Sequence, residues 1–120
     1  MVVGVVQANE SDESFAKLEQ ELRRGVVVIA VLSQLRSAQY GYSLRQALAE
    51  RGMPIEEGTL YPLLRRMEEQ GLLTSEWKIE DGPPRRYYRR SKTGDGVYRD
   101  LAAQWRALVG TVEALMEEGI

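Results

Sequence analysis

The 120-residue sequence contains no cysteine and no histidine. Without thiols it has no disulfide, no thiolate nucleophile and no Cys-ligated zinc site. Without imidazole it lacks the commonest general base and the commonest metal ligand. The carboxylates, hydroxyls, lysines and arginines that remain form no cluster spaced for catalysis, so the expectation is a non-enzyme that needs no cofactor and no metal. Long apolar runs are missing too. Met1–Val6 and Val26–Leu32 fall well short of the ~20 residues of a spanning helix, and the first lacks the basic flank of a signal peptide. These absences lead us to expect a cytoplasmic protein without a membrane partner, residues 1–10 forming a flexible N-terminal arm. Nor is there an excess of positive charge: 16 basic side chains face 18 acidic ones, for a net charge of −2.

What is present is mostly helical pattern, in a length suited to one domain. Ser11, Asp12, Glu13 and Ser14 offer capping oxygens and negative charge for a helix start. Phe15, Leu18, Leu22, Val26, Ile29 and Leu32 then recur at steps of three and four, predicting a first helix over Ser11–Arg36 that is central and buried from Val26 onward. Ser37–Gly41 breaks it. A short second helix follows, with Tyr42, Leu44, Leu48 and Ala49 on its apolar side and Gly52 past its end. A third helix, about 57–70, carries Leu60, Leu63, Leu64 and Met67 inward and turns Gly58, Pro62, Arg65, Arg66 and Glu69 outward.

The period then changes to two. Leu73, Ser75, Trp77 and Ile79 alternate with polar residues, Asp81-Gly82-Pro83-Pro84 supplies a turn, and Arg85–Arg90 (RRYYRR) forms a second strand. The hairpin occupies residues 73–90. From Ser91 a last helix runs to about Glu118, its Val97, Leu101, Trp105, Leu108, Val112 and Leu115 spaced as a heptad-like seam. A helix of ~28 residues is about 42 Å long, longer than the ~35 Å diameter of a 120-residue sphere. Its apolar seam would stand in water unless a second copy covered it. We therefore expect a homodimer built from this helix and the start of the first.

Three helices followed at once by a hairpin is the order of a winged helix-turn-helix, whose third helix enters the major groove of DNA. The fold class expected is mostly α with a small β-hairpin. Residues 11–90 form the DNA-binding domain and residues 91–120 the dimerisation helix. Arg85, Arg86, Arg89, Arg90 and Lys92 lie between Pro83 and Gly94 with no acid among them, a patch suited to phosphate. Against this stand the acidic pI near 5.3 and four glutamates, Glu56, Glu57, Glu68 and Glu69, around the third helix. They support the competing reading, a winged-helix protein-interaction module without DNA binding.

The stretch Glu57–Glu68 (EGTLYPLLRRME) decides between family patterns. With Tyr40-Gly41-Tyr42 before it, Gly71-Leu72-Leu73 after it and Gly82–Arg89 (GPPRRYYR) in the wing, it closely resembles the PadR-like transcriptional regulators. The resemblance spans about residues 18–115 and points to the short subfamily with a single C-terminal helix. It implies a dimeric regulator of double-stranded DNA, a repressor released by a small planar apolar effector, with an inverted-repeat operator. Carried over residue by residue, it implies that Thr59, Tyr61 and Pro62 meet phosphate at the front of the recognition helix, and that Arg65 reaches a base edge. Arg66 is left between DNA and an acidic neighbour, and Tyr40 and Tyr42 between DNA contact and packing. Arg85 and Arg86 are wing contacts to phosphate or minor groove. The same resemblance assigns Trp105 to an effector site or the dimer interface, with Phe15, Leu18, Leu22, Leu101, Leu108, Val112 and Leu115. Val109, one turn on from Trp105, stands where an acid would favour cationic drugs, which leans toward neutral or anionic ligands.

Overall fold

The computed structural model describes residues 2–119, with side chains from Glu10 onward. Four helices and a three-stranded sheet follow in the order α1 (Val2–Gln34), β1 (Gln39–Tyr40), α2 (Gly41–Glu50), α3 (Glu57–Glu69), β2 (Leu73–Lys78), β3 (Arg85–Arg90) and α4 (Lys92–Glu118). The predominantly helical architecture and the hairpin are as expected. Three details differ. Helix α1 begins at Val2, ahead of the expected Ser11 start, and ends at Gln34. The oxygens of Ser11–Ser14 cap only where a chain enters a helix, and no proline in Val2–Glu10 forces an entry there. The backbone of residues 2–10, expected as a flexible arm, continues α1 as helix, while Met1 lies outside the described residues. The second difference is β1, two residues that pair antiparallel with β3, Gln39 opposite Tyr88 and Tyr40 opposite Tyr87. The hairpin thereby becomes a sheet of order β1-β3-β2. Third, β2 stops at Lys78, leaving Ile79 exposed.

Helix ends are set by local chemistry. Gly52 and Gly71 adopt φ of 91° and 79°, the left-handed conformation that glycine reaches without steric cost. Each closes its helix with a pair of backbone bonds: Met53 N–H to Leu48 O and Gly52 N–H to Ala49 O after α2, Leu72 N–H to Met67 O and Gly71 N–H to Glu68 O after α3. Ser91 starts α4, its Oγ accepting from Gly94 N–H at 2.9 Å and donating to Gly71 O. Gly94 is buried there because a Cβ would collide with the carbonyl of Leu72, so α4 sits directly on the α3–β2 connection.

The core joins Val31, Leu32 and Leu35 of α1, Leu44 and Leu48 of α2, Leu60, Leu63, Leu64 and Met67 of α3, and Leu73 and Tyr88 of the sheet. The inward stripe of α3 is the expected one. Of the apolar side expected for α2, Leu44 and Leu48 are buried, together with Gly41 at its start, while Tyr42 and Ala49 face outward. Helix α4 adds Tyr98 and Leu101 at the edge of the core, then leaves it. The molecule measures 59 × 35 × 25 Å with a radius of gyration of 18.4 Å, well above the ~13.6 Å of a sphere of this length. The excess is helix: α4 alone is about 40 Å long at 1.5 Å per residue.

Arg90 ties the two long helices to the sheet. Its Nη1 donates to Leu32 O at 2.9 Å and its Nε to Asp95 Oδ1 at 2.8 Å. Its guanidinium lies 4.5 Å from the centre of the Tyr98 ring. One cation thus serves the carbonyl end of α1 and the first turn of α4 together, where the helix termini favour a positive and a negative group respectively.

Candidate nucleic-acid interface

The start of α2, the outer face of α3 and the wing enclose an open groove of about 290 Å³ lined by Tyr40, Gly41, Tyr42, Tyr61, Arg65, Trp77, Arg85, Arg86 and Tyr88. Six of the residues singled out for DNA contact, Tyr40, Tyr42, Tyr61, Arg65, Arg85 and Arg86, are brought together here. Thr59, exposed in the first turn of α3, Pro62, half-buried, and Arg66, exposed farther along, stand outside it. Trp77 and Tyr88 were not among the expected contacts. Strand alternation puts Trp77 on the same face as Leu73 and Ser75, but it does not show that the groove lies there.

Close packing makes the groove. Gly41 has no side chain because the Tyr61 ring occupies the space a Cβ would need, which seats α2 against α3. Tyr40 and Tyr87 meet edge-on with ring centres 5.4 Å apart. The Arg85 guanidinium lies 4.6 Å from the Tyr40 ring centre, a cation–π arrangement that leaves its donors free to face outward. The Tyr42 hydroxyl accepts from Gln46 Nε2 at 3.1 Å. Burial holds the Tyr88 phenol above its ordinary ionisation range, the Arg86 charge opposing and Glu68 reinforcing this, with Arg65 opposing more weakly.

Charge in the groove is sorted by pairing. Arg86 Nη2 donates to Glu68 Oε1 at 2.6 Å, its Nε to Ser75 Oγ at 3.0 Å, and Ser75 Oγ donates to Glu68 Oε2 at 2.6 Å. This half-buried triangle clamps both wing strands to α3. Arg45 Nη1 pairs with Glu57 Oε1 at 2.9 Å and its Nε donates to Ile55 O. Two of the four glutamates that seemed to offset the recognition helix are therefore bound to arginines. Among the described residues Arg65, Arg66 and Arg85 form no ion pair, so Arg66 has no acidic partner and Arg86 has one. The wing arginines lie at the base of the tip, where Lys78 stands opposite Arg85 and Trp77 opposite Arg86.

A second groove, about 620 Å³, runs between α1 and α4 and is lined by apolar side chains, among them Leu22, Val26, Ile29, Leu101, Trp105, Leu108 and Val112. Glu21, Gln104 and Glu113 complete it; spacing alone did not bring those acids to Trp105. Phe15, Leu18 and Leu115 are exposed along the same two helices but outside the groove. Among the described residues no group of acidic side chains is placed to hold a metal, and no helix is long and apolar enough to cross a membrane.

Comparison with known proteins bears on the first of these grooves. Residues 28–100 match the model of the transcriptional regulator PadR-like family. A PadR-family transcriptional regulator from Eggerthella lenta is 49% identical, with a TM-score of 0.84 over 90% of this chain and 96% of that one. A PadR-like transcription factor from Bacteroides fragilis is 33% identical, with a TM-score of 0.71 over 82% of this chain and 98% of the other. Among curated proteins, a transcriptional regulator of Mycobacterium tuberculosis is 38% identical over 76 residues, covering 62% of this chain and 71% of its own. The matched stretch contains α2, α3 and the whole wing, the elements that build the cationic groove. The chain belongs to the PadR-like family, whose members are transcriptional regulators and not enzymes.

Proposed function

We propose that the protein is a dimeric, sequence-specific DNA-binding repressor, released from its operator by a small planar ligand. The observation that carries the DNA reading is the groove between α2, α3 and the wing, which gathers Arg65, Arg85 and Arg86 with four tyrosines. Phosphate contacts position a protein on the duplex, and base contacts specify the site. Arg85, Tyr40 and Tyr42 take the first role, together with Thr59 and the amino end of α3. Arg65, exposed on the outer face of α3 and without an ion-pair partner among the described residues, takes the second: a bidentate contact to guanine. Arg66, on the same face, adds phosphate contact. The glutamate pairings weigh against an interaction module, since the acids that suggested it are in part spent on Arg86 and Arg45.

In this reading residues 11–90 form the DNA-binding unit and residues 91–120 the dimerisation helix. Support for the dimer is the row Phe15, Leu18, Leu22, Leu108, Val112, Leu115 and Met116, all exposed on α1 and α4. An uncovered apolar surface of this extent on paired helices calls for a partner, and a second copy covers both helices at once. Two-fold symmetry then sets an inverted repeat with half-sites about one helical turn apart. Trp105 and the neighbouring apolar residues suit a planar ligand. Glu21 and Glu113 in the same groove disfavour anions, so the ligand is neutral or carries a positive group. Its binding would shift the spacing of the two recognition helices.

Selection of duplexes from a random-sequence library, followed by gel-shift titration, tests the proposal. Recovery of an inverted repeat bound far more tightly than random DNA is the expected result. Equal affinity for selected and random duplexes would overturn it.

A further inference from the structure

Two large apolar side chains at the wing have no role in the core. Trp77 is 64% exposed and Ile79 74%. The strand face that carries Trp77 is interior farther down: Leu73 is buried and Ser75 is bound to Glu68 and Arg86. One repeat on, the strand has left the core while its sequence stays apolar. Trp77 stands opposite Arg86 in the ladder, with that guanidinium 5.8 Å from its ring centre, and shares a groove with Tyr61, Arg65 and Arg85.

We propose that Trp77 is the apolar edge by which the wing packs against the deoxyribose faces of the DNA minor groove. This rests on the DNA reading above and adds a contact to it. Charge identifies the occupant. An apolar protein surface meeting Trp77 would have to strip water from the arginines around it without repaying them. Duplex DNA presents sugar carbons and phosphate oxygens side by side, so the indole and the guanidiniums are satisfied by one partner. Apolar wedges at the minor groove and aromatic platforms in cationic channels use the same division of labour.

The test uses the full chain labelled with 5-fluorotryptophan. Its two tryptophans give two fluorine resonances, and the one absent from Trp77→Phe belongs to Trp77. Adding a duplex selected by the protein should shift the Trp77 resonance. Trp77→Ala should weaken binding about tenfold, and Trp77→Phe much less. The dependence of affinity on salt should be unchanged in both, because an apolar contact releases no counterions. An unmoved resonance, with Trp77→Ala binding as tightly as the native chain, overturns the contact and leaves the DNA reading standing. A flattened salt dependence in Trp77→Ala also overturns it, since the residue would then act by holding the wing arginines in place. Failure of the native chain to bind any duplex removes the DNA reading itself.

Discussion

The two grooves each hold one of the two tryptophans, and almost nothing else about them is alike. Around Trp77 stand arginines, tyrosine hydroxyls and a glutamate already paired. Around Trp105 stand leucine, valine and isoleucine, with two glutamates for polarity. The first groove is held rigid by specific bonds between three elements, the Arg86–Glu68–Ser75 triangle above all. The second lies between two long helices that part company with the core, and its walls are apolar side chains facing water. An exposed aromatic side chain thus carries little meaning by itself. Its neighbours decide whether it suits a polyanion, or another apolar surface.

Substitutions can break or sharpen that contrast. Gly94→Ala should have the largest effect, because a Cβ there meets the Leu72 backbone, which cannot move aside. A loss of about 3 kcal/mol, at the upper end for overpacking, read by denaturant unfolding, would disturb both grooves together. Leu108→Glu confines the damage to the apolar groove: sedimentation should show a monomer whose unfolding curve remains cooperative, and whose operator affinity is lost with the second half-site. A persistent dimer would show that α4 is not the interface. Within the cationic groove two arginines should behave differently. Arg65→Ala should cost about 1–3 kcal/mol at a single operator position and relax the preference there. Arg85→Ala should weaken all sequences alike and reduce the salt slope by about one. Glu68→Gln leaves the wing with a weaker clamp and should lower stability by less than ~1 kcal/mol, the pair being partly exposed. The smallest effect concerns pH. Because Tyr88 ionises above its ordinary 10.0 when folded, its contribution is intact below pH 10.0 and declines as pH rises beyond it. Tyr88→Phe should flatten that alkaline decline in thermal melts.

Much of this architecture was legible in the sequence, because most of it is periodic. The stripe Leu60, Leu63, Leu64 and Met67, the alternation from Leu73, and the heptad spacing through Leu115 each repeat often enough to declare an element. Gly52 and Gly71 mark helix ends because left-handed backbone there excludes most other residues. What was not legible depends on contacts across the chain. Two residues, Gln39 and Tyr40, are too few to show a period, and only their pairing with β3 makes them a strand. Ser11–Ser14 look like a helix start, yet such side chains signal a start only if the preceding chain is not already helical. The glutamates of α3 appeared to oppose DNA until Glu68 was found against Arg86 and Glu57 against Arg45, partners 18 and 12 residues away. In the same way Trp77 belongs to the groove through its register opposite Arg86, and no spacing in the sequence shows it.

The central claim is that the groove beside α3 binds duplex DNA through its arginines. Fluorescence anisotropy of a selected duplex, titrated with the native chain at several salt concentrations, tests this most directly. The account predicts a logarithmic affinity that falls linearly and steeply with the logarithm of salt between ~50 and 200 mM, and stays well above that for random DNA throughout. Affinity that is indifferent to salt, or equal for the two duplexes, would contradict it.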